Sequence, residues 1–273
     1  MLLLRTDLDG LDIDDEGSFR HVALYADLKR LVRAARLPFR VAAAEGPLAH
    51  WDAVLVLNHT QWTPAQAVEV LAEPRVPADV LCHRAWHYAA AEALGPHAYT
   101  ADGLLLGEAV ASAFDLYLVG RLLGHAPGSS FLESQVEAMR DAADAAGLDA
   151  EGFEALLARA SAEPERAFES LRALLFDAAT GLSAAADVDA AAEVLARAAA
   201  RDHGPLLYHY ELRNWVLFAR AQARASVPGG SGARLADPTP EVRAIDAELR
   251  AAPDPIAWLD AHWLEPLRRK HAF

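Results

Sequence analysis

Residues 79 to 123 constrain the fold more than any other stretch. They read DVLCHRAWHYAAAEALG, then PHAYTAD, then GLLLGEAVASAFDLYLVGRLLG. This is two apolar segments of helical length, with Gly95-Pro96 stopping the first and Gly124 ending the second. Asp79 and Asp102 are candidate N-caps. Helices this apolar on every side belong in a core. Yet they carry ionisable groups. His83 and His87 are four residues apart and share one face, one turn above the other. Glu108 lies early in the second segment, with Asp115 two turns later on the same side. A lone buried charge is costly, so these groups need partners. Two imidazoles and a carboxylate from facing helices can hold a divalent metal and leave positions open for water or substrate. The competing reading is a pair of core histidines bonded to Glu108 and Asp115 with no ion between them.

The spacing resembles the gluzincin branch of the zincin metallopeptidases, whose signature is HExxH on one helix and a ligand Glu about twenty residues later on a second. His83-Arg84-Ala85-Trp86-His87 stands at the first motif, and Glu108 follows His87 by 21 positions within GEAVASAFD. The resemblance is local, about 45 of 273 residues. It implies zinc held by His83, His87 and Glu108. Arg84 occupies the position of the family's catalytic Glu, which takes a proton from metal-bound water, and an arginine stays protonated. Ser112 stands where the family often has an Asp that orients a histidine. The resemblance thus implies a metal site without the ordinary peptidase base.

With 53% hydrophobic residues over this length, the chain can bury a sizeable core. The formal charge of −14 argues against nucleic acid or an anionic membrane as a partner, since phosphates need basic patches. Only Lys29 and Lys270 among 25 basic residues are lysine, which, with the alanine content, points to a GC-rich bacterial source. The lone cysteine, Cys82, excludes an internal disulfide and reads as a small buried hydrophobe rather than a ligand. No run approaches the eighteen or so apolar residues of a membrane span, and MLLLRTDLDG is too short and acidic for a signal peptide. The expectation is a cytoplasmic protein. Asp7, Asp9, Asp12, Asp14, Asp15 and Glu16 read as a solvated acidic loop that binds no calcium, lacking a closing bidentate Glu.

Elsewhere the patterning predicts a helix over 19–37 ended by Pro38, strands at FRVAAA and DAVLVLN, and a helix over 64–72 with Pro64 at its first position. Helices follow near 130–146, 150–161, 164–178, 187–202 and 205–225, and Trp258 and Trp263 dock a terminal helical segment. Within 205–225, Tyr208, His209, Tyr210 and Glu211 sit on an amphipathic helix. His209 could point at a metal, although a surface histidine with aromatic neighbours is the reading preferred. The expected class is α+β, predominantly α-helical. A small N-terminal strand layer packs on a zincin-like helix pair (1–125), followed by a helical portion (126–226), a linker (227–240) and a C-terminal helical segment (241–273), or one domain throughout.

Three functions remain open. The first is a divergent zincin-like metalloprotein that hydrolyses a small molecule or peptide. Asp115 would be its base, and Arg84 would hold a substrate anion or the charge of a tetrahedral intermediate. The second is a non-haem iron enzyme, since two histidines and a carboxylate also make the iron facial triad. The third is an inactive zincin-like binding or assembly protein.

Overall fold

The structure, a computed structural model, describes residues 3–42, 60–63, 66–225 and 239–273. Within them the fold is α+β and predominantly helical, with its strands confined to the N-terminal third. Strand β1 (Leu3–Thr6), β3 (Phe39–Ala42), β4 (Thr60–Thr63) and β5 (Gln66–Leu71) make one sheet in the order β1-β3-β5-β4. β1 runs antiparallel to β3, β3 parallel to β5, and β5 antiparallel to β4. A two-stranded parallel ribbon joins β2 (Asp12–Asp14) to β6 (Arg75–Pro77).

Three readings of this region change. The 64–72 helix is instead the β4–β5 hairpin. Val68 and Val70 are buried on either side of Glu69, a period of two with β-branched residues, and pairing with β3 and β4 overrides the proline helix-start signal. The 19–37 helix is broken into α1 (Glu16–Phe19) and α2 (Tyr25–Ala34), because Val22 and Tyr25 donate to carbonyls three residues back and turn the chain between them. The acidic stretch is not a bare loop. It contains β2, and Asp9 pairs with Arg33 at 2.8 Å while Asp14 faces Arg75 at 3.9 Å. The DAVLVLN strand and most of the 227–240 linker lie outside the described residues.

The helical body is α3 (Ala78–Leu94), α4 (Ala101–Leu122), α5 (Ser130–Ala145), α6 (Ala150–Ala162), α7 (Pro164–Ala184), α8 (Val188–Ala199) and α9 (Leu212–Ala225). Helix α10 (Pro240–Ala251), α11 (Pro255–Leu259) and α12 (Glu265–His271) follow. The capping differs from expectation at two ends. Thr100, not Asp102, caps α4 by accepting from the Gly103 amide, and Pro77 rather than Asp79 precedes α3. Asp102 instead receives the Thr239 hydroxyl at 2.8 Å, tying the start of α10 to α4.

Helix α4 is the axis of the molecule, packed on α3, α6, α7 and α9. It does have the length and composition of a membrane span, contrary to the reading of its sequence, but 83% of its apolar window is buried inside the protein. Its small residues decide how near the neighbours come. A Cβ at Gly120 would sit 2.4 Å from the Ala160 carbonyl oxygen, so only glycine admits α6 at this distance. On the other side, fully buried Trp86 of α3 meets Phe114 of α4 edge-on at 5.3 Å, a contact worth about 0.5–1.5 kcal/mol beyond its burial. Trp263 is buried as expected and helps seat the last helices against α2 and α3.

Candidate metal centre

Trp86 fixes which face of α3 meets the core, and that sets where the histidines point. His83 and His87, three residues before and one after it, fall on the flank toward the start of α4. Alanine at 85, 89 and 90 on α3 and Gly107 on α4 keep the two helices close, so the short Glu108 side chain reaches both rings. The two Nε2 atoms lie 3.0 Å apart. His87 Nε2 is 3.6 Å from Glu108 Oε1, and His83 Nε2 is 3.9 Å from Oε2. The side chains are 28%, 23% and 13% exposed for His83, His87 and Glu108. They are sunk in the wall of a cleft but reachable from it.

This group could hold a metal ion. A tetrahedral ion with bonds of about 2.0–2.1 Å places its ligand atoms roughly 3.3 Å apart. The observed separations, the two to Glu108 being to different oxygens, bracket that value, and one ligand atom from each residue lies within 4.8 Å of the others. The charge state agrees. Burial, then Arg84, lowers the pKa of His83 to about 4, and a hydrogen bond to the Ala111 backbone opposes the drop. Burial, then His83 and Arg84, holds His87 well below the ordinary value. Both rings are therefore neutral near pH 7, the state a metal requires. Burial, then Glu69, lifts Glu108 to about 8, so without a cation it keeps its proton.

The cluster sits where two cavities meet. One, of about 680 Å³, includes His83, Ser112, Asp115 and His209 in its lining. The other, of about 730 Å³, runs toward the start of β3 and includes Arg5, Arg36 and Tyr99. Arg84, His87, Glu108, Trp215 and Phe218 line both. Arg84 therefore stands beside the histidines, as its offset from His83 implies. Its Nε is buried without a hydrogen-bond partner. Burial lowers its pKa, and the charge of Glu69 opposes this. The carboxylate whose charge acts on Arg84 is Glu69 of β5, while Glu92 on α3 is bound to Lys270.

Asp115 reaches the same cavity, but burial, then Asp79, holds its pKa well above the carboxylate range. Asp79 itself is lifted to about 6, chiefly by burial. Cys82 is buried, as expected, and its thiol is pushed up chiefly by burial. The segment 208–211 is not on an α-helix: Gly204–Tyr210 is a 3-10 helix, and Glu211 at φ 46 separates it from α9. That helix still brings His209 to the cavity, with its Nε2 3.1 Å from Gln135 Oε1.

Glu69, Trp215 and Phe218 are site residues that the sequence reading missed. Glu69 was hidden by the mistaken helix. A charged residue between two valines is the signal that could have placed it on a half-buried strand. Trp215 and Phe218 share a helical face three residues apart, but nothing local ties that face to α3. No protein-family model, no curated protein and no solved structure matches this chain.

Proposed function

We propose that the protein binds one divalent ion, zinc, through His83, His87 and Glu108, and that it is a zincin-like hydrolase of a small molecule or peptide that works with a non-standard base. The convergence of His83, His87 and Glu108, with one ligand atom from each within 4.8 Å of the others, carries this reading. A cytoplasmic setting without nucleic acid or membrane partners goes with it, on the strength of the acidic composition and the lone buried cysteine. An ion held there supplies Lewis acidity, which acidifies water and polarises a carbonyl or phosphoryl oxygen.

The protein's own groups divide the remaining work. Arg84 cannot take a proton, and Asp115, whose pKa burial and then Asp79 raise well above the carboxylate range, is a poorer choice of base than an ordinary carboxylate. Glu69 is the better base. It lines the cavity next to the cluster and is near enough to shift both Arg84 and Glu108. Arg84 offers its unpartnered donor to negative charge developing on substrate oxygen. Asp115 is suited to return a proton to a leaving group.

Elemental analysis of protein purified without a metal-affinity tag tests the ion. About one zinc per chain is expected, lost in His83→Ala and in Glu108→Ala. Metal-free protein that also takes up none on titration overturns the proposal, and stoichiometric iron replaces zinc with the facial-triad reading. Glu69→Gln should keep its zinc and lose roughly 10²–10⁴-fold in hydrolysis of responsive amide, ester or phosphate substrates. Undiminished turnover would remove Glu69 from its role.

A further inference from the structure

The cavity toward β3 has the opposite character to the chain as a whole. In a protein of net charge −14, Arg5, Arg36 and Arg84 line it. Of its two acids, Glu92 is bound to Lys270 and Glu108 belongs to the cluster. Arg5 and Arg36 are exposed and have no ion-pair partner among the described residues. A surface with many spare carboxylates would ordinarily neutralise them.

The backbone concentrates positive charge here further. β1 and β3 pair in a register that sets Arg5 directly opposite Arg40, on one face of the sheet. Like charges at directly opposed positions are unfavourable unless an anion lies between them. Arg40 Nε is buried with no hydrogen-bond partner, as is Arg84 Nε. Arg36 adopts φ 50, a left-handed conformation that a non-glycine residue takes only at a cost, at the turn that carries it to the cavity. Guanidinium groups offer planar pairs of donors that match carboxylate and phosphate oxygens.

We infer that Arg5 and Arg36, backed by Arg40 and with Arg84 at the inner end, form an oxyanion-binding arm of the cleft, so that the substrate carries a carboxylate or phosphate group held on the β1–β3 side of the reacting centre. The other cavity differs, with Glu69, Asp79 and Glu211 in its lining, so the cleft is polarised along its length. A negatively charged group therefore enters one way round, which orients the rest of the molecule across His87 and Glu108. The inference rests on the hydrolase reading for its reacting centre, but not for the anion site itself.

Calorimetric titration of the full chain with glutarate and with methylphosphonate, at low ionic strength, tests it. Both are run on zinc-loaded and on chelator-treated protein. At least one probe should bind the unmutated protein, and the one that binds more tightly identifies the oxyanion. Arg5→Ala/Arg36→Ala should weaken it roughly tenfold or more, with zinc content and circular dichroism unchanged. Arg5→Lys/Arg36→Lys, which keeps charge and loses the fork, should fall between and serves in place of the alanine pair if that fails to fold. Arg166→Ala/Arg197→Ala removes two exposed guanidiniums outside the cavity and should change affinity less than about twofold. Binding of neither probe, or equal weakening in the two alanine pairs, overturns the inference. Arginine-dependent binding in a chain that takes up no zinc would sustain this inference and sink the metal reading. Zinc uptake with arginine-independent binding would do the reverse.

Discussion

Two of the places where this protein buries ionisable side chains resolve the cost in opposite ways. Arg172 of α7 is fully buried. Its Nε and Nη2 reach Glu169 at 2.7 Å, and Nη2 reaches Asp246 of α10 at 2.8 Å. Charge is kept and matched by charge from within the chain. In the His83–His87–Glu108 cluster charge is surrendered instead: two neutral imidazoles face a carboxyl that holds its proton, and a neighbouring arginine keeps an unpartnered donor. The first arrangement pairs its charges within the chain, with only the Arg172 Nη1 donor left over. The second is a group that a cation from outside could complete. Buried charge paired with opposite charge from the chain marks a structural joint, and a buried cluster that could take up a cation marks a candidate site.

The sharpest way to break this contrast is at the joint. Arg172→Met strands Glu169 and leaves Asp246 with Arg250 alone, and should cost about 3–5 kcal/mol in urea unfolding while zinc uptake stays intact. A loss below about 1 kcal/mol would show that the joint is no more than a surface pair.

His203 sharpens the other half. It is a buried neutral histidine with a single bond, Nδ1 to Ser170 Oγ at 3.0 Å, and no place in the metal cluster. Burial lowers its pKa to about 4, with Asp202 opposing and Arg159 reinforcing the drop. Its folded pKa lies below the ordinary 6.5, so the unfolded chain takes up the proton first. The stabilisation is complete above pH 6.5 and drains away as pH falls toward 4, up to about 3 kcal/mol in all. Urea midpoints at pH 7.5 and 4.5 should therefore fall further for the unmutated protein than for His203→Gln, and parallel falls would refute the assignment.

Zinc should act only on the open arrangement. At a free concentration one hundred times its Kd, it should add about 2.7 kcal/mol of stability, and none in Glu108→Ala. The smallest effect is expected at β1. Arg5→Thr relieves the repulsion across from Arg40 and, in anion-free buffer, should raise stability by roughly 0.2–1 kcal/mol. A decrease of that size would mean the two guanidiniums are not in conflict.

The sequence made the two site helices and their ligand set readable, because a four-residue histidine spacing and a distant Glu survive without knowledge of tertiary contacts. It did not reveal what surrounds them. Glu69 was lost because a Thr-Pro start signal is local and outweighs alternation in a short window, whereas pairing with β3 decided the outcome. His209 reaches the cavity on a 3-10 helix set apart from α9, because Glu211 takes a left-handed conformation that its residue type does not announce. The arginine arm depends on strand register and the position of one turn, neither of which composition encodes.

The back of α3 carries a consequence for biosynthesis. Tyr88, the residue after His87, bonds its hydroxyl to His271 Nε2 at 3.0 Å across 183 positions, and Glu92, one turn on, is held by Lys270. The start of α4 is likewise braced by Thr239, 137 positions downstream of Asp102. Both helices that present the ligands are thus propped by segments translated long after them. A nascent chain that has already exposed α3 and α4 still lacks these props, so the geometry of His83, His87 and Glu108 cannot be completed before His271 has been made.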